Sequence, residues 1–229
     1  MNATHLILGS RSPRRLELLS SIIPREQIEV LPPRSSAEAG FELLHTPAAI
    51  EQRLREIVRV KGDDVLAQVQ ARQPMSERTA PVIVVADTIV IAQEPRSAAI
   101  PRLTVLGQPA EPDWQADVRT WFRQLLSDQT HEVWTGFRLL SAGANNPSPD
   151  KVEQIVRSTV TFESLDETVL DWYISTEESR GKAGGYAIQG LGAALVRGVS
   201  GSLTNVIGLP IHELRNALRK FLQPVSKGS

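Results

Sequence analysis

The stretch at residues 6–19, LILGSRSPRRLELL, decides the fold because it joins a buried strand to a helix through a short turn. The apolar run before Gly9 predicts the strand. Ser12 followed by Pro13 predicts the start of the helix, with serine as the N-cap and proline at the first helical position. Cations are disfavoured at this end of a helix, which carries partial positive charge. Three arginines nevertheless crowd the turn: Arg11, Arg14 and Arg15.

A sequence that breaks a local rule in this way often does so at a functional site. Free backbone N–H groups at a helix N-terminus bind anions. Hydroxyl donors from Ser10 and Ser12 and guanidinium donors from Arg14 and Arg15 would add to them. One interpretation is therefore that a polyphosphate lies among these side chains. The other is that the arginines point into solvent and bind nothing.

Length and composition limit the classes of protein that fit. The chain has 229 residues, a formal net charge of -1 and no cysteine, which excludes disulfides, thiolate nucleophiles and thiolate zinc sites. No global positive field draws it to a nucleic acid polymer. The N-terminus lacks the pattern of a signal peptide, and no run of about 18 apolar residues predicts a membrane span. We therefore expect a cytoplasmic protein with no membrane partner.

Strand and helix patterns alternate along the chain, which predicts an α/β fold. Strands are predicted at IEVLPP, VIVVADTIVIA, HEVWTGFRLL and VEQIVRSTVTFESL, and helices from about residue 48, at PDWQADVRTWFRQLLSD and at PIHELRNALRKFL. The proline-rich stretch EPRSAAIPRLTVLGQPAEP is expected to be an excursion that ends in a turn. Within the glycine-rich residues 181–208, GAALVRG and LTNVIG together are predicted to form a hairpin.

Three charged residues stand out as candidates for chemistry. Asp87 interrupts a Val/Ile strand, where it could cap a turn or serve as a metal ligand or general base. Lys61 lies on the apolar stripe of the first long helix, so its ammonium group could either reach water or meet a phosphate. Lys182 lies in the glycine-rich region, and the same two interpretations apply.

Other catalytic patterns are absent from the sequence. There is no G-x-x-x-x-G-K-[ST] phosphate loop and no G-x-S-x-G nucleophile elbow. The four histidines lack metal-ligand spacing. Any divalent ion would therefore be a hard cation held by carboxylates and substrate oxygens.

Five motifs give the chain a family resemblance. SRSPRRLELL, VVADTIV, THEVWTGF, GKAGGYAIQG and NVIGLP occur in the order found in the Maf family of septum-formation-associated nucleotide pyrophosphatases. The resemblance runs from about residue 5 to residue 220. Arg14 and the triplet Ile188, Gln189 and Gly190 make the chain similar to the branch that prefers dTTP and UTP, rather than to the 7-methyl-GTP branch.

The resemblance implies an elongated mixed-sheet α/β fold, with two lobes and a central cleft, similar to the inosine-triphosphate pyrophosphatases. Residues 1–229 would form one Maf-like domain. The implied reaction is a house-cleaning hydrolysis of a nucleoside triphosphate to the monophosphate and pyrophosphate, with Mg²⁺ or Mn²⁺. The same resemblance favours a homodimer. The alternative function is a catalytically weakened nucleotide-binding regulator linked to cell division.

The site residues implied by the resemblance follow position by position. Asp87 matches the catalytic aspartate and, with Glu38, a metal ligand. The other matched positions are substrate contacts: Ser10, Arg14, Arg15, Glu38, Lys61 and Lys182 for the phosphates and metal, and Gln189 for the base.

The sequence departs from the family pattern at four places. The lysine of a G-K-P turn is replaced by Gln108, so one phosphate contact is missing or is supplied by another residue such as Arg102. The usual acidic pair after the second strand becomes RSSAE, where Glu38 is the expected surviving carboxylate. Gly181 stands where an acidic residue is usual, and the insertion at residues 92–104 is longer than usual. These departures bear on rate and substrate preference more than on fold.

Overall fold

A mixed seven-stranded sheet with helices on both faces forms the protein. The computed structural model describes residues 5–34, 40–72, 81–94, 102–141 and 151–221. The strands are β1 (Leu6–Gly9), β2 (Ile28–Val30), β3 (Val82–Gln93), β4 (Leu103–Leu106), β5 (Thr130–Ser141), β6 (Lys151–Phe162) and β7 (Val196–Ser200). The helices are α1 (Pro13–Ser20), α2 (Pro47–Gln70), α3 (Trp114–Trp121), α4 (Glu167–Ser175), α5 (Leu203–Ile207) and α6 (Ile211–Phe221).

The strand order is β2-β1-β3-β5-β6-β7, and β4 also pairs with β3. β1 lies parallel to both β2 and β3, whereas the other pairings are antiparallel. The predicted α/β class is therefore confirmed. None of the helices in the described ranges is long and apolar enough to cross a membrane.

β3 is the central strand, and its alternating side chains contribute to three separate cores. One set, with Ile83, Val85, Ile89 and Ile91, packs with α2. On the opposite face, residues 82, 84 and 86 pack with α1 and α6. Further along that same face, residues 90 and 92 pack with α3 and α4. Two cores therefore share one face of the sheet and meet near residue 88.

The edge of β3 that lies opposite β5 has a gap. β1 pairs with residues 82–85 and β4 pairs with residues 90–93. Among the described residues, 86–89 have a ladder partner only on the β5 side. The sheet therefore splits at Asp87 and Thr88, and a cleft opens there.

Gly9 allows the chain to leave β1 close against its neighbours at this split. A Cβ atom at this position would lie 2.6 Å from the Val85 Cγ1 atom and 2.9 Å from the Val65 Cγ2 atom. Real Cβ atoms do not approach so closely, so the close packing requires glycine. The turn after Gly9 then brings the N-terminus of α1 beside the gap in β3.

A buried polar seam crosses the sheet between the two cores on one face. The Thr88 and Thr135 hydroxyls are 2.9 Å apart, and the Thr135 hydroxyl donates to the Asn205 carbonyl at 3.1 Å. The Asn205 side-chain amide donates to the Val133 carbonyl at 2.9 Å and to the Ser158 hydroxyl at 3.0 Å. Burial of polar groups without partners is costly, so these hydrogen bonds hold α5 against the middle of the sheet.

One sequence-based expectation about the connections was wrong, and one short strand was not predicted. Residues 196–200 pair with β6, whereas Leu203–Ile207 form helix α5, so the predicted hairpin does not exist. The Ser202 hydroxyl accepts from the Asn205 N–H at 3.2 Å, and this cap starts a helix where the apolar pattern suggested a strand. The proline-rich excursion contains β4, whose four residues gain ladder hydrogen bonds from β3.

His131 lies under the cleft as a buried neutral side chain. Its Nε2 atom is 2.8 Å from the Tyr186 hydroxyl, and its ring contacts the edge of Phe162 at a centroid distance of 5.0 Å. Burial lowers the pKa of His131 to about 4. Below about pH 6.5 the unfolded chain therefore binds a proton at this position that the folded chain does not bind.

The free energy of unfolding is consequently expected to fall as the pH drops through this window. From pH 7 to pH 5, the His131 contribution is about 2 kcal/mol, as follows from proton linkage. Urea unfolding at both pH values measures it. The His131→Gln variant, which keeps a hydrogen-bonding group without a titratable ring, should show a smaller difference by that amount. An equal pH dependence in both proteins would contradict the prediction.

Candidate active site

A cavity of about 460 Å³ opens at the gap in β3. Its wall is formed by the turn before α1 and the start of that helix, one residue of α2, the middle of β3, and parts of residues 181–189 and 206–208. Pro33, Gln108 and Val133 complete it. The lining includes Ser10, Arg14, Arg15, Lys61, Asp87, Gln108, Lys182 and Gln189. The sequence-predicted site residues that the structure describes therefore meet in one place.

Lys61 and Asp87 form a buried ion pair in this cavity. The Lys61 Nζ atom donates to the Asp87 Oδ1 atom at 2.6 Å, and the residues are 7% and 6% exposed. Asp87 shares the face of β3 that packs on α2, and Lys61 lies on the inward stripe of α2. The alternative in which Lys61 reaches water was therefore wrong. The pair places a carboxylate and an ammonium group together at the split in the sheet.

Arg15 connects three parts of the cleft. Its Nε atom donates to the Gly208 carbonyl at 2.9 Å, Nη1 to the Ser10 hydroxyl at 3.3 Å and Nη2 to the Thr88 hydroxyl at 3.1 Å.

The Ser10 hydroxyl also accepts from the Ser12 N–H at 3.1 Å. The expectation that Ser12 starts α1 with Pro13 next is confirmed, although the Ser12 side chain makes no cap hydrogen bond. Ser10 closes the turn instead.

Arg14 and Lys182 approach each other on another part of the wall. Burial lowers the pKa of Arg14, whereas the negative charge of Glu178 raises it. Burial and the nearby Arg14 lower the pKa of Lys182, and Glu178 again opposes the shift. Two cations held together at a partly buried site, with one carboxylate near them, form a region suited to an anion.

The positions at which the sequence departs from the family pattern lie in different places. Gln189 and Gly181 line the cavity, and so does Gln108, so an uncharged amide stands where the family pattern has a lysine. Arg102 does not replace that lysine, because it contacts His45 and Glu94 and is not part of the cavity wall. Glu38 and part of the insertion at residues 92–104 lie outside the described residues.

The donor set bears on which metal could bind. Among the described residues, no cluster of three His, Cys, Asp or Glu side chains forms a metal site, and the carboxylate on the cavity wall is Asp87. Mg²⁺ and similar ions commonly use one or two carboxylates together with substrate phosphates and water. The described wall fits such a shared site and does not form an all-protein cage.

Several residues in or next to the site were not assigned a role from the sequence. Thr88 and Thr135 were noted in the sequence only within the motifs VVADTIV and THEVWTGF. The register of β3 against β5 brings their hydroxyls together. Gly208 was seen only as part of a motif, yet its carbonyl accepts from Arg15. Glu178 lies four residues before Lys182 in a polar turn, and nothing local marks it. Their positions depend on long-range packing.

Comparison with curated proteins gives several relatives of similar length. A dTTP/UTP pyrophosphatase of Granulibacter bethesdensis is 35% identical over 220 residues, covering 95% of this chain and 93% of that protein. A dTTP/UTP pyrophosphatase of Syntrophus aciditrophicus is 33% identical over 214 residues, covering 93% and 88%. That of Pyrococcus furiosus is 33% identical over 208 residues, covering 90% of each chain.

A solved structure and a family model complete the comparison. The structure, a nucleoside-triphosphatase / dITP/XTP pyrophosphatase of Mycobacterium abscessus, has 12% identity and a TM-score of 0.40, covering 94% of this chain and 93% of that one. The family model described as Maf-like protein matches residues 5–221. Together with relatives above 30% identity over nearly the full length, this match establishes that the chain belongs to the Maf-like protein family.

Proposed function

We propose that this protein is a nucleoside triphosphate pyrophosphatase that hydrolyses dTTP, UTP or related non-standard nucleotides to the monophosphate and pyrophosphate. The names of its relatives support this reaction. The observation that carries the proposal is the buried Lys61–Asp87 pair at 2.6 Å in a cavity that Arg14 and Lys182 also line. A carboxylate in this cavity can direct the attacking water, and the cations around it can stabilise the leaving pyrophosphate.

The chemistry needs a directed water and a stabilised leaving group. In the proposed mechanism, Asp87 orients a water molecule toward the α-phosphorus and accepts its proton as the new P–O bond forms. The bond from the α-phosphorus to the bridging oxygen breaks, and pyrophosphate leaves with the electron pair. Lys61, Arg14 and Lys182 stabilise the negative charge that accumulates on the phosphate oxygens.

We propose that Asp87 also holds a divalent cation, Mg²⁺ or Mn²⁺, with Glu38 as a second ligand. When bound, such an ion neutralises phosphate charge. Gln189 is proposed to contact the pyrimidine edge, because its amide can both donate and accept. Apolar residues of the wall, Val90, Val133, Ile188 and Val206, would contact the face of the base.

A nucleotide panel tests the proposed function. Release of pyrophosphate and monophosphate in equal amounts from dTTP and UTP, with Mg²⁺ or Mn²⁺, is the expected result. CTP and 7-methyl-GTP provide the comparison for base preference. Release of orthophosphate instead would show cleavage at the γ-phosphorus, and no turnover of any triphosphate would overturn the proposal.

Gln108 favours a second candidate, a nucleotide-binding regulator linked to cell division whose catalysis is weakened. An exposed amide on the cavity wall cannot neutralise phosphate charge as a lysine would. Tight binding of a triphosphate without turnover, measured by calorimetry, would favour the regulator over the enzyme. Light scattering tests the expected homodimer in the same samples.

The Gln108→Lys variant is expected to lower the KM for UTP by about tenfold, because a charge-assisted hydrogen bond contributes about 1.5–3 kcal/mol. The decrease in KM should become smaller as the salt concentration rises, since the new interaction is partly exposed. Gln108→Met is the uncharged control with a similar length. An unchanged KM at low salt would show that position 108 does not approach the phosphates.

A further inference from the structure

Glu178 lies next to the segment of the cavity wall that contains the expected base contact. Residues 186–189 line the cavity, and a short 3-10 turn, Leu191–Leu195, follows immediately. The first N–H groups of such a turn have no acceptor within the turn. The stability of the wall at Gln189 therefore depends on what satisfies the N–H groups just after it.

The Glu178 carboxylate supplies these acceptors. Its Oε1 atom accepts from the Leu191 N–H at 3.0 Å, and its Oε2 atom accepts from the Gly192 N–H at 2.8 Å. The Tyr173 hydroxyl donates to the same Oε2 atom at 2.9 Å. Tyr173 is fully buried and stacks on Phe122 at a centroid distance of 5.8 Å. The carboxylate thus ties the segment to the core under α3 and α4.

Gly190 gives a second, independent sign that this contact is built into the fold. A Cβ atom at Gly190 would overlap the Glu178 Oε1 atom. A side chain at position 190 would therefore displace the carboxylate. Glycine directly after Gln189 lets the backbone close on Glu178.

The same carboxylate is the counter-charge of two cations on the cavity wall. Burial lowers the pKa of both Arg14 and Lys182, and the charge of Glu178 opposes the shift at each. Glu178 itself is not part of the cavity wall, so it acts through its neighbours.

We propose that Glu178 is a positioning residue for nucleobase selection: its carboxylate fixes residues 187–192 and thereby the side chain of Gln189 at the cavity wall. This proposal rests on the pyrophosphatase function proposed above and deepens it. The protein would distinguish one pyrimidine base from another through Gln189. Glu178, which does not touch the substrate, would set the position of that contact.

The Glu178→Gln variant tests the proposal. One of its two terminal atoms is an amide nitrogen, which cannot accept a hydrogen bond, so either the Leu191 or the Gly192 N–H loses its acceptor. Hydrogen exchange of residues 187–195 is expected to accelerate by at least about tenfold, since hydrogen bonds to a charged group are lost. The ratio of kcat/KM for UTP over CTP should fall toward one by about the same factor. A purely structural role would lower kcat/KM for both substrates by the same factor and leave their ratio unchanged.

Glu177→Gln is the matched control, since Glu177 is exposed and pairs with Arg180 instead. It should leave both the exchange and the selectivity ratio at the wild-type values. Tyr173→Phe removes one donor to the carboxylate and should give smaller changes in the same direction, which keeps the test open if Glu178→Gln does not fold. Unchanged exchange, or faster exchange with an unchanged ratio, overturns the proposal. A wild type that turns over no nucleotide would instead refute the proposed function, and exchange would still decide whether Glu178 holds the segment.

Discussion

Replacing Asp87 by asparagine is expected to lower kcat by about 10²- to 10⁴-fold, the range that one general base contributes. Asparagine keeps an oxygen that can accept from Lys61, but its amide does not take a proton from water. Triphosphate binding should survive, because the cations of the wall remain and one negative charge is gone. Initial rates of pyrophosphate release and calorimetric titration with a slowly hydrolysed triphosphate measure the two effects separately.

The same variant is expected to destabilise the fold, since the buried Lys61 ammonium group then loses its ion pair with Asp87. Removal of one partner of a buried pair costs about 3–5 kcal/mol. Adding Lys61→Gln makes the pair neutral on both sides, and should recover much of the unfolding free energy without recovering turnover. If Asp87→Asn retains turnover within about tenfold of the wild type, the assignment of the base is wrong.

Arg15→Lys is expected to lower the free energy of unfolding by about 2 kcal/mol, because a single ammonium group does not reproduce the three-way contact of the guanidinium fork. The hydrogen bonds of Arg15 join α1 to Thr88 of β3 and to Gly208, so turnover should fall as well when they are removed. Urea unfolding and steady-state kinetics measure the two effects. Comparison with Arg14→Lys separates a residue that stabilises the cleft from one that binds substrate.

Arg14→Lys is the companion variant one residue away. Arg14 is half-buried and lies near Lys182 and Glu178, so we expect a higher KM with a change in unfolding free energy below about 0.5 kcal/mol. If Arg14→Lys proves the more destabilising of the two, the assignment of Arg15 as the connection across the cleft is wrong.

Much of the architecture followed from local patterns. The strand ending at Gly9, the helix starting at Pro13 and the long helix carrying Lys61 were predicted from apolar spacing and capping residues. The failures were short elements near the cleft. β4 and α5 have four and five residues, so their own propensities are weak and tertiary hydrogen bonds decide their conformation.

Within the site, the sequence supplied the residue types and the structure supplied their partners. The crowding of arginines before α1 and the carboxylate in β3 were visible as local violations of ordinary patterns. Arg14 and Arg15 look equivalent in the sequence, but their contacts differ in the structure. Arg15 donates to the Gly208 carbonyl, 193 positions away, whereas Arg14 lies near Lys182. Sequence spacing contains no information on such distant pairings.

By itself, the sequence determined the order of the longer strands and helices and the set of charged groups available for chemistry, because periodicity and capping act within a few residues. Only the tertiary structure decided that Lys61 meets Asp87, that the sheet splits beside them and that Glu178 holds the wall near Gln189. The reason is physical: those contacts depend on strand register and on which faces pack together, and these are properties of the whole folded chain.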